Sequence, residues 1–205
     1  AHAVVTCVAR DDLPDGGAGA IAATVEAIRR RRPGTAVEVL ISDCKGDPAS
    51  LATIFDAGPD ILNHNLETVL RLQRAVRPSA SYARSLAVLA RAKAAGLTTK
   101  SGMILGMGET EAEVLGALAD LRAVGVDIVT MGQYLRPTRA HLPVARWWRP
   151  EEFDRLAAAG MAMGFAHVQA SPLTRSSYHA RAAAGAAAAG PSAEAHHSTA
   201  TEAHA

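Results

Sequence analysis

The stretch "ILNHNLETV", residues 61–69, begins like a buried strand and then turns polar. Ile61 and Leu62 are apolar, and Asn63, His64, Asn65 and Glu67 follow at once. Strand alternation places Asn63 and Asn65 on one face and His64 on the other. Polar groups leaving a sheet core need partners, because burial without a hydrogen bond costs about 1–3 kcal/mol per group. Two amides aimed at one end of a barrel lumen suit a polar ligand. Asn offers a donor and an acceptor, and Glu67 adds a charged acceptor able to take two ribose hydroxyls. On spacing alone, a structural network tying neighbouring loops together is an equal alternative.

Outward from this stretch, β-rich runs alternate with helical patterns. Upstream, Val4 to Val8 and "AVEVLIS" (36–42) predict strands. Between them Ile21, Val25 and Ile28 recur at helical spacing until Pro33-Gly34, and Asp47-Pro48 opens a short helix through Phe55. Downstream, Tyr82, Leu86 and Leu89 mark a helix closed by Gly96, and "TTKSGMILG" (98–106) a strand. Val114, Leu118 and Leu121 then predict a helix, "DIVTMGQYL" (127–135) a strand, Phe153, Leu156 and Met161 a helix, and "AHVQAS" (166–171) a last strand. This alternation predicts an α/β fold with a parallel sheet, open or closed into a barrel. Polar segments follow the strands at Arg10-Asp11-Asp12, Asp43, Asn63-His64-Asn65 and Gln133-Tyr134. Those are the carboxyl ends, where such sheets bind ligands.

The bulk properties exclude several classes. A formal net charge of +1 gives no reason to expect a nucleic-acid partner. The two cysteines, Cys7 and Cys44, lack any metal-type spacing, and no apolar run approaches the roughly 20 residues of a membrane span. The amino terminus shows no secretory pattern, so a cytoplasmic location is expected. Residues 1–180 form one expected domain. Residues 181–205 contain no Val, Ile, Leu or aromatic residue and are expected to be a disordered tail, with His196-His197 as solvated surface.

Smaller motifs have plainer readings. Arg10 and Asp11 are placed to pair across a loop, with Asp12 capping the next turn. Gly106 and Gly108 allow a tight turn or a close approach to a ligand. Thr110 and Glu113 form a T-x-x-E capping box. "PLTRSSYHA" (172–180) reads by itself as a turn. The phosphate-binding glycine loops of dinucleotide and P-loop folds are absent.

Taken together, "RDDLPDGGAGA", "LNHNLETV", "VRPSASYARSLAVLARAKAAG", "TKSGMILGMGET", "GVDIVTMGQYLRPTRAHLPVARW" and "SPLTRSSYHA" resemble the lipoyl synthases of the radical S-adenosylmethionine superfamily. They run in family order over roughly residues 3 to 180. The resemblance implies a partial (β/α)6 barrel of the TIM type, truncated before its first strand, and two [4Fe–4S] clusters. One cluster cleaves S-adenosylmethionine to a 5′-deoxyadenosyl radical; the other is the sulfur source for C6 and C8 of an octanoyl chain. That chain is carried by a lipoyl domain, of the E2 component of a 2-oxoacid dehydrogenase or of the glycine cleavage H protein. By the same resemblance Asn63, Asn65 and Glu67 bind the nucleotide, with Asn65 and Glu67 on the nucleoside and ribose. Arg84 grips the methionine carboxylate, and Ser177 is the serine ligand of the auxiliary cluster.

The departures also carry expectations. The family's two three-cysteine motifs lie ahead of Ala1, and Cys7 and Cys44 are expected to be buried strand-end residues. The chain by itself is therefore expected to hold neither cluster and to be inactive, with an open sheet edge at Val4. Mitochondrial or plastid targeting is compatible if a segment precedes Ala1. The competing expectation is a non-catalytic barrel remnant that binds S-adenosylmethionine or a lipoyl carrier domain. A biotin synthase relative would not need the "RSSY" ending.

Overall fold

The computed structural model describes residues 1–177 and residue 185; the tail expected over 181–205 otherwise lies outside the described residues, as do Tyr178 to Ala180. Strands and helices alternate: β1 (His2–Thr6), α1 (Ala18–Arg31), β2 (Ala36–Leu40), α2 (Pro48–Asp56), β3 (Ile61–Asn63), α3 (Gln73–Val76), α4 (Tyr82–Ala94), β4 (Thr98–Leu105), α5 (Glu111–Ala123), β5 (Ile128–Gln133), α6 (Pro150–Ala162) and β6 (His167–Ala170). All neighbouring strands are parallel, in the order β1-β2-β3-β4-β5-β6. Strand order equal to chain order is barrel winding; a doubly wound sheet would reverse at a switch point. Among the described residues β1 pairs only with β2 and β6 only with β5, so the barrel is open.

Alternation sorts each strand into a helix-facing and a lumen-facing row. In β2, Val37 and Val39 join a buried cluster with Val25, Leu51, Ile54 and Leu62. In β4 and β5, Met103, Leu105, Val129 and Met131 join a second cluster with Leu89, Leu118 and Phe153. The inward row is polar: Glu38, Asn63 and Lys100 are each 0% exposed.

Local chemistry sets the helix starts. Asp47 accepts from the Ser50 amide at 2.8 Å ahead of Pro48. Thr110 and Glu113 form the expected reciprocal box. At α1 the structure departs from the sequence expectation. Arg10 pairs with Asp12, at 2.8 and 2.6 Å, and not with Asp11. A turn closed by Leu13 N–H on the Arg10 carbonyl (2.9 Å) brings those two side chains to the same side. Asp12 is thereby engaged, and Asp15 meets the helix instead, accepting from Gly17 and Gly19 amides at 2.9 and 2.8 Å. Cys44 is buried, in a short 3-10 turn after β2, whereas Cys7 is only half-buried because β1 stops at Thr6. No helix among the described residues is long and apolar enough to cross a membrane.

Candidate active site at the barrel mouth

β3 ends two residues sooner than its sequence suggests, and the reason shapes the site. Asn63 pairs with Lys100 in register, but the next contact is Glu67 with Met103. Four residue steps on one side therefore face three on the other, which is a β-bulge. Pairing resumes through Glu67 N–H on the Gly102 carbonyl and Ile104 N–H on the Glu67 carbonyl, both 2.9 Å. Glu67 absorbs the extra residue at φ +70°, a left-handed conformation costing a non-glycine residue on the order of 1–3 kcal/mol. Arg77 donates to the Asn65 carbonyl at 3.0 Å and steadies the bulge.

The bulge leaves alternation intact and turns the two sides of the strand end into different environments. Toward α4, His64 is buried between the Ile41 carbonyl and the Ser85 hydroxyl, each 3.0 Å from a ring nitrogen. Burial pushes its imidazole below the usual histidine range. Toward the lumen, the Asn65 amide donates to Glu67 Oε1 and to Ser176 Oγ, both at 3.1 Å. Asn65 Oδ1 is buried without a hydrogen-bond partner among the described residues.

Beside these groups lies a cavity of about 520 Å³, within the size range of small-molecule sites. Val76, Ile104, Met107, Tyr134 and Leu142 give it apolar walls, and Glu67 and Arg77 give it a charged rim. The roof is fixed by Tyr134, whose hydroxyl donates to the Leu142 carbonyl at 2.9 Å. Gly106 makes the tight turn beneath this roof: a Cβ there would lie 2.7 Å from the Arg146 carbonyl and also strike the Gln133 amide. Glu109 locks the same turn, accepting from the Met107 amide (3.0 Å) and from Trp148 Nε1 (2.8 Å).

Of the residues expected from sequence, Asn65 and Glu67 are brought into contact. Asn63 sits deeper, donating to Glu38 Oε1 at 3.0 Å. Arg84 stands at the start of α4, bonded to Asp43 at 3.1 Å, and does not line this cavity. Ser177 is exposed, one residue beyond the Ser176 that touches Asn65. Sequence reasoning missed Glu38, Lys100, Arg77 and Ser176. The available signal was a pair of opposite charges, Glu38 and Lys100, on inward positions of two otherwise apolar or small-residue strands.

The acceptor set fits a nucleoside: the Glu67 carboxylate lines the apolar cavity and also an adjoining cleft of about 40 Å³ shared with Asn65, whose amide oxygen is buried and lacks a donor among the described residues. For iron the chain offers much less. Both cysteines are free, and no group of three or more His, Cys, Asp or Glu among the described residues could hold a metal ion.

A profile of the Radical SAM superfamily matches residues 4–121, more than half of the chain. The chain is 58% identical over 181 residues to the lipoyl synthase of Rubrobacter xylanophilus and 56% identical over 179 residues to that of Mycobacterium bovis. These alignments cover 87% of this chain but 56% and 58% of those proteins, so the chain spans little more than half the length of its relatives. The crystal structure of methylornithine synthase superposes with a TM-score of 0.55 at 17% identity, covering 65% of this chain and 39% of that one, a likeness of fold alone. The chain belongs to the radical SAM superfamily, and within it is similar to lipoyl synthases along most of its length.

Proposed function

We propose that this chain is the nucleotide-gripping and serine-bearing part of a lipoyl synthase. The whole enzyme would insert two sulfur atoms, at C6 and C8, into an octanoyl group held on a lipoyl carrier domain. One contact carries this reading. The Asn65 amide donates to both Glu67 and Ser176, so the candidate grip touches the residue just before Ser177.

Glu67 takes the ribose hydroxyls of S-adenosylmethionine, and Asn65 Oδ1 accepts from the nucleoside. The walls formed by Val76, Ile104 and Met107 exclude water from the base. Arg84 binds the methionine carboxylate; among the described residues one of its five side-chain N–H donors is engaged, by Asp43. Asn63 contributes from below by fixing Glu38. Ser177 provides an oxygen ligand to the auxiliary cluster, a weaker donor to iron than thiolate and thus suited to leaving. When bound, the two [4Fe–4S] clusters and S-adenosylmethionine supply the radical and the sulfur. Their cysteine ligands come from outside these 205 residues, and the chain alone is inactive.

The test is anaerobic reconstitution with iron and sulfide of the enzyme that contains this chain, followed by mass analysis of an octanoylated carrier domain. The expected product carries two added sulfur atoms, and Ser177→Ala abolishes it. Absence of product from the intact enzyme, or product from the 205-residue chain by itself, would contradict this reading.

A further inference from the structure

At the floor of the lumen lies a charged pair that meets the nucleotide grip only through Asn63. Lys100 and Glu38 are both fully buried, with Lys100 Nζ donating to Glu38 Oε1 at 2.9 Å. Asn63 donates to the same oxygen, and His2 Nε2 lies 3.7 Å from the other. Taking two charges out of water costs more than their attraction usually returns, and apolar residues of similar volume would serve a barrel core as well. The pair therefore asks for another explanation.

Lys100 has one more partner, and it comes from 76 residues further along the chain: the Ser176 carbonyl, 2.5 Å from Nζ. An apolar side chain could not make that bond. The segment from Ser171 to Ser177 is otherwise held at its start. Ser171 N–H donates to the Met131 carbonyl at 3.2 Å, the Pro172 carbonyl accepts from Gln133 at 3.2 Å, and Ser171 bonds Thr174 at 2.8 Å. The segment then crosses β5 so closely that a Cβ on Gly132 would lie 2.1 Å from the Thr174 carbonyl oxygen. Beyond Arg175, the bonds that fix it among the described residues are those to Lys100 and Asn65.

The geometry points to Lys100 as a positioning residue. Held by Glu38, and through it by Asn63, it pins the Ser176 peptide into the lumen mouth and so presents the Ser177 oxygen outward. Because Asn65 holds the Ser176 hydroxyl, the peptide is fixed from the floor and from the grip at once. This inference rests on the proposed role of Ser177 as an iron ligand, but its first readout does not.

The test is amide hydrogen exchange in the enzyme that contains this chain, comparing Lys100→Met with the charge-free pair Glu38→Gln/Lys100→Met. Gln at position 38 still accepts from Asn63, so the double variant keeps the barrel folded if the single one does not. In the double variant, exchange of the hydrogen-bonded Ser171 and Thr174 amides is expected to quicken by about tenfold to a hundredfold as the segment loses its anchor, while β4 and β5 keep their protection. Unchanged protection of 171–177 in the double variant overturns the inference. So does a loss spread evenly over β3, β4 and β5, which would make Lys100 a residue of the fold only. A second readout, the Mössbauer spectrum of the reconstituted auxiliary cluster, is expected to change in the double variant as it does in Ser177→Ala. If Ser177→Ala leaves that spectrum unchanged while 171–177 loosens selectively in the Lys100 variants, the ligand assignment of Ser177 falls and the anchor stands.

Discussion

The two sides of the chain just after β3 use the same kind of residue for opposite ends. On the helix side, His64 is buried and both ring nitrogens have partners. On the lumen side, Asn65 and Glu67 meet each other and Ser176, yet Asn65 Oδ1 is buried without a donor among the described residues. Polarity alone separates neither side from the other. What marks the lumen side is incomplete hydrogen bonding beside a cavity, with a residue held at positive φ. Burying an unsatisfied acceptor is costly in a finished core and useful where a ligand completes the set.

The contrast is sharpened most by breaking the floor beneath it. Lys100→Met leaves the Glu38 carboxylate buried without its cation, and a loss of about 3–5 kcal/mol is expected in urea unfolding. Replacing Glu38 by Gln in the same molecule should recover most of that loss, since no charge then remains unpaired.

On the helix side, His64→Ala should destabilise by about 2–3 kcal/mol, by loss of packing and of the bonds to Ser85 and Ile41, while leaving nucleotide affinity within about twofold. The same imidazole sets a pH signature. Its folded value is depressed by burial, so below the ordinary histidine value near 6.5 the unfolded chain takes up a proton that the folded chain does not. Stability is full above that pH and falls as the pH drops below it; His64→Ala should remove that part of the acid sensitivity in thermal melts recorded across pH 5 to 8.

On the lumen side the expected pattern reverses. Asn65→Ala should weaken S-adenosylmethionine binding by about tenfold to a hundredfold, with a stability change under about 1 kcal/mol. The smallest effect belongs far from both sides. Thr110→Ala removes the cap of α5 at a cost of about 1 kcal/mol in thermal unfolding and leaves binding untouched.

The sequence made the alternation of elements legible because each longer helix shows recurring apolar residues and each strand is short and bounded by turn residues, whereas the four-residue α3 is too short to show a period. Thr110 with Glu113, and Pro48 after Asp47, marked helix starts correctly because capping is local chemistry. The bulge at 64–66 was not legible, since its register depends on which residue of β4 faces Glu67. The pairing of Arg10 with Asp12 was missed for a related reason: the turn that unites them is closed by the backbone. Gly132 carries no local sign of its role, since only the fold brings Thr174 across it. Glu38 and Lys100 are separated by 62 positions, and nothing local ties them together.

The central claim is that the bulge at the mouth holds a nucleotide. Its most direct test is calorimetric titration of S-adenosylmethionine into the anaerobically reconstituted enzyme containing this chain, as wild type and as Asn65→Ala, Glu67→Gln and the folding control His64→Ala. The account predicts one binding site, at least about tenfold weaker in the Asn65 and Glu67 variants and near the wild-type value in the His64 variant. Wild-type affinity in both lumen-side variants would contradict it.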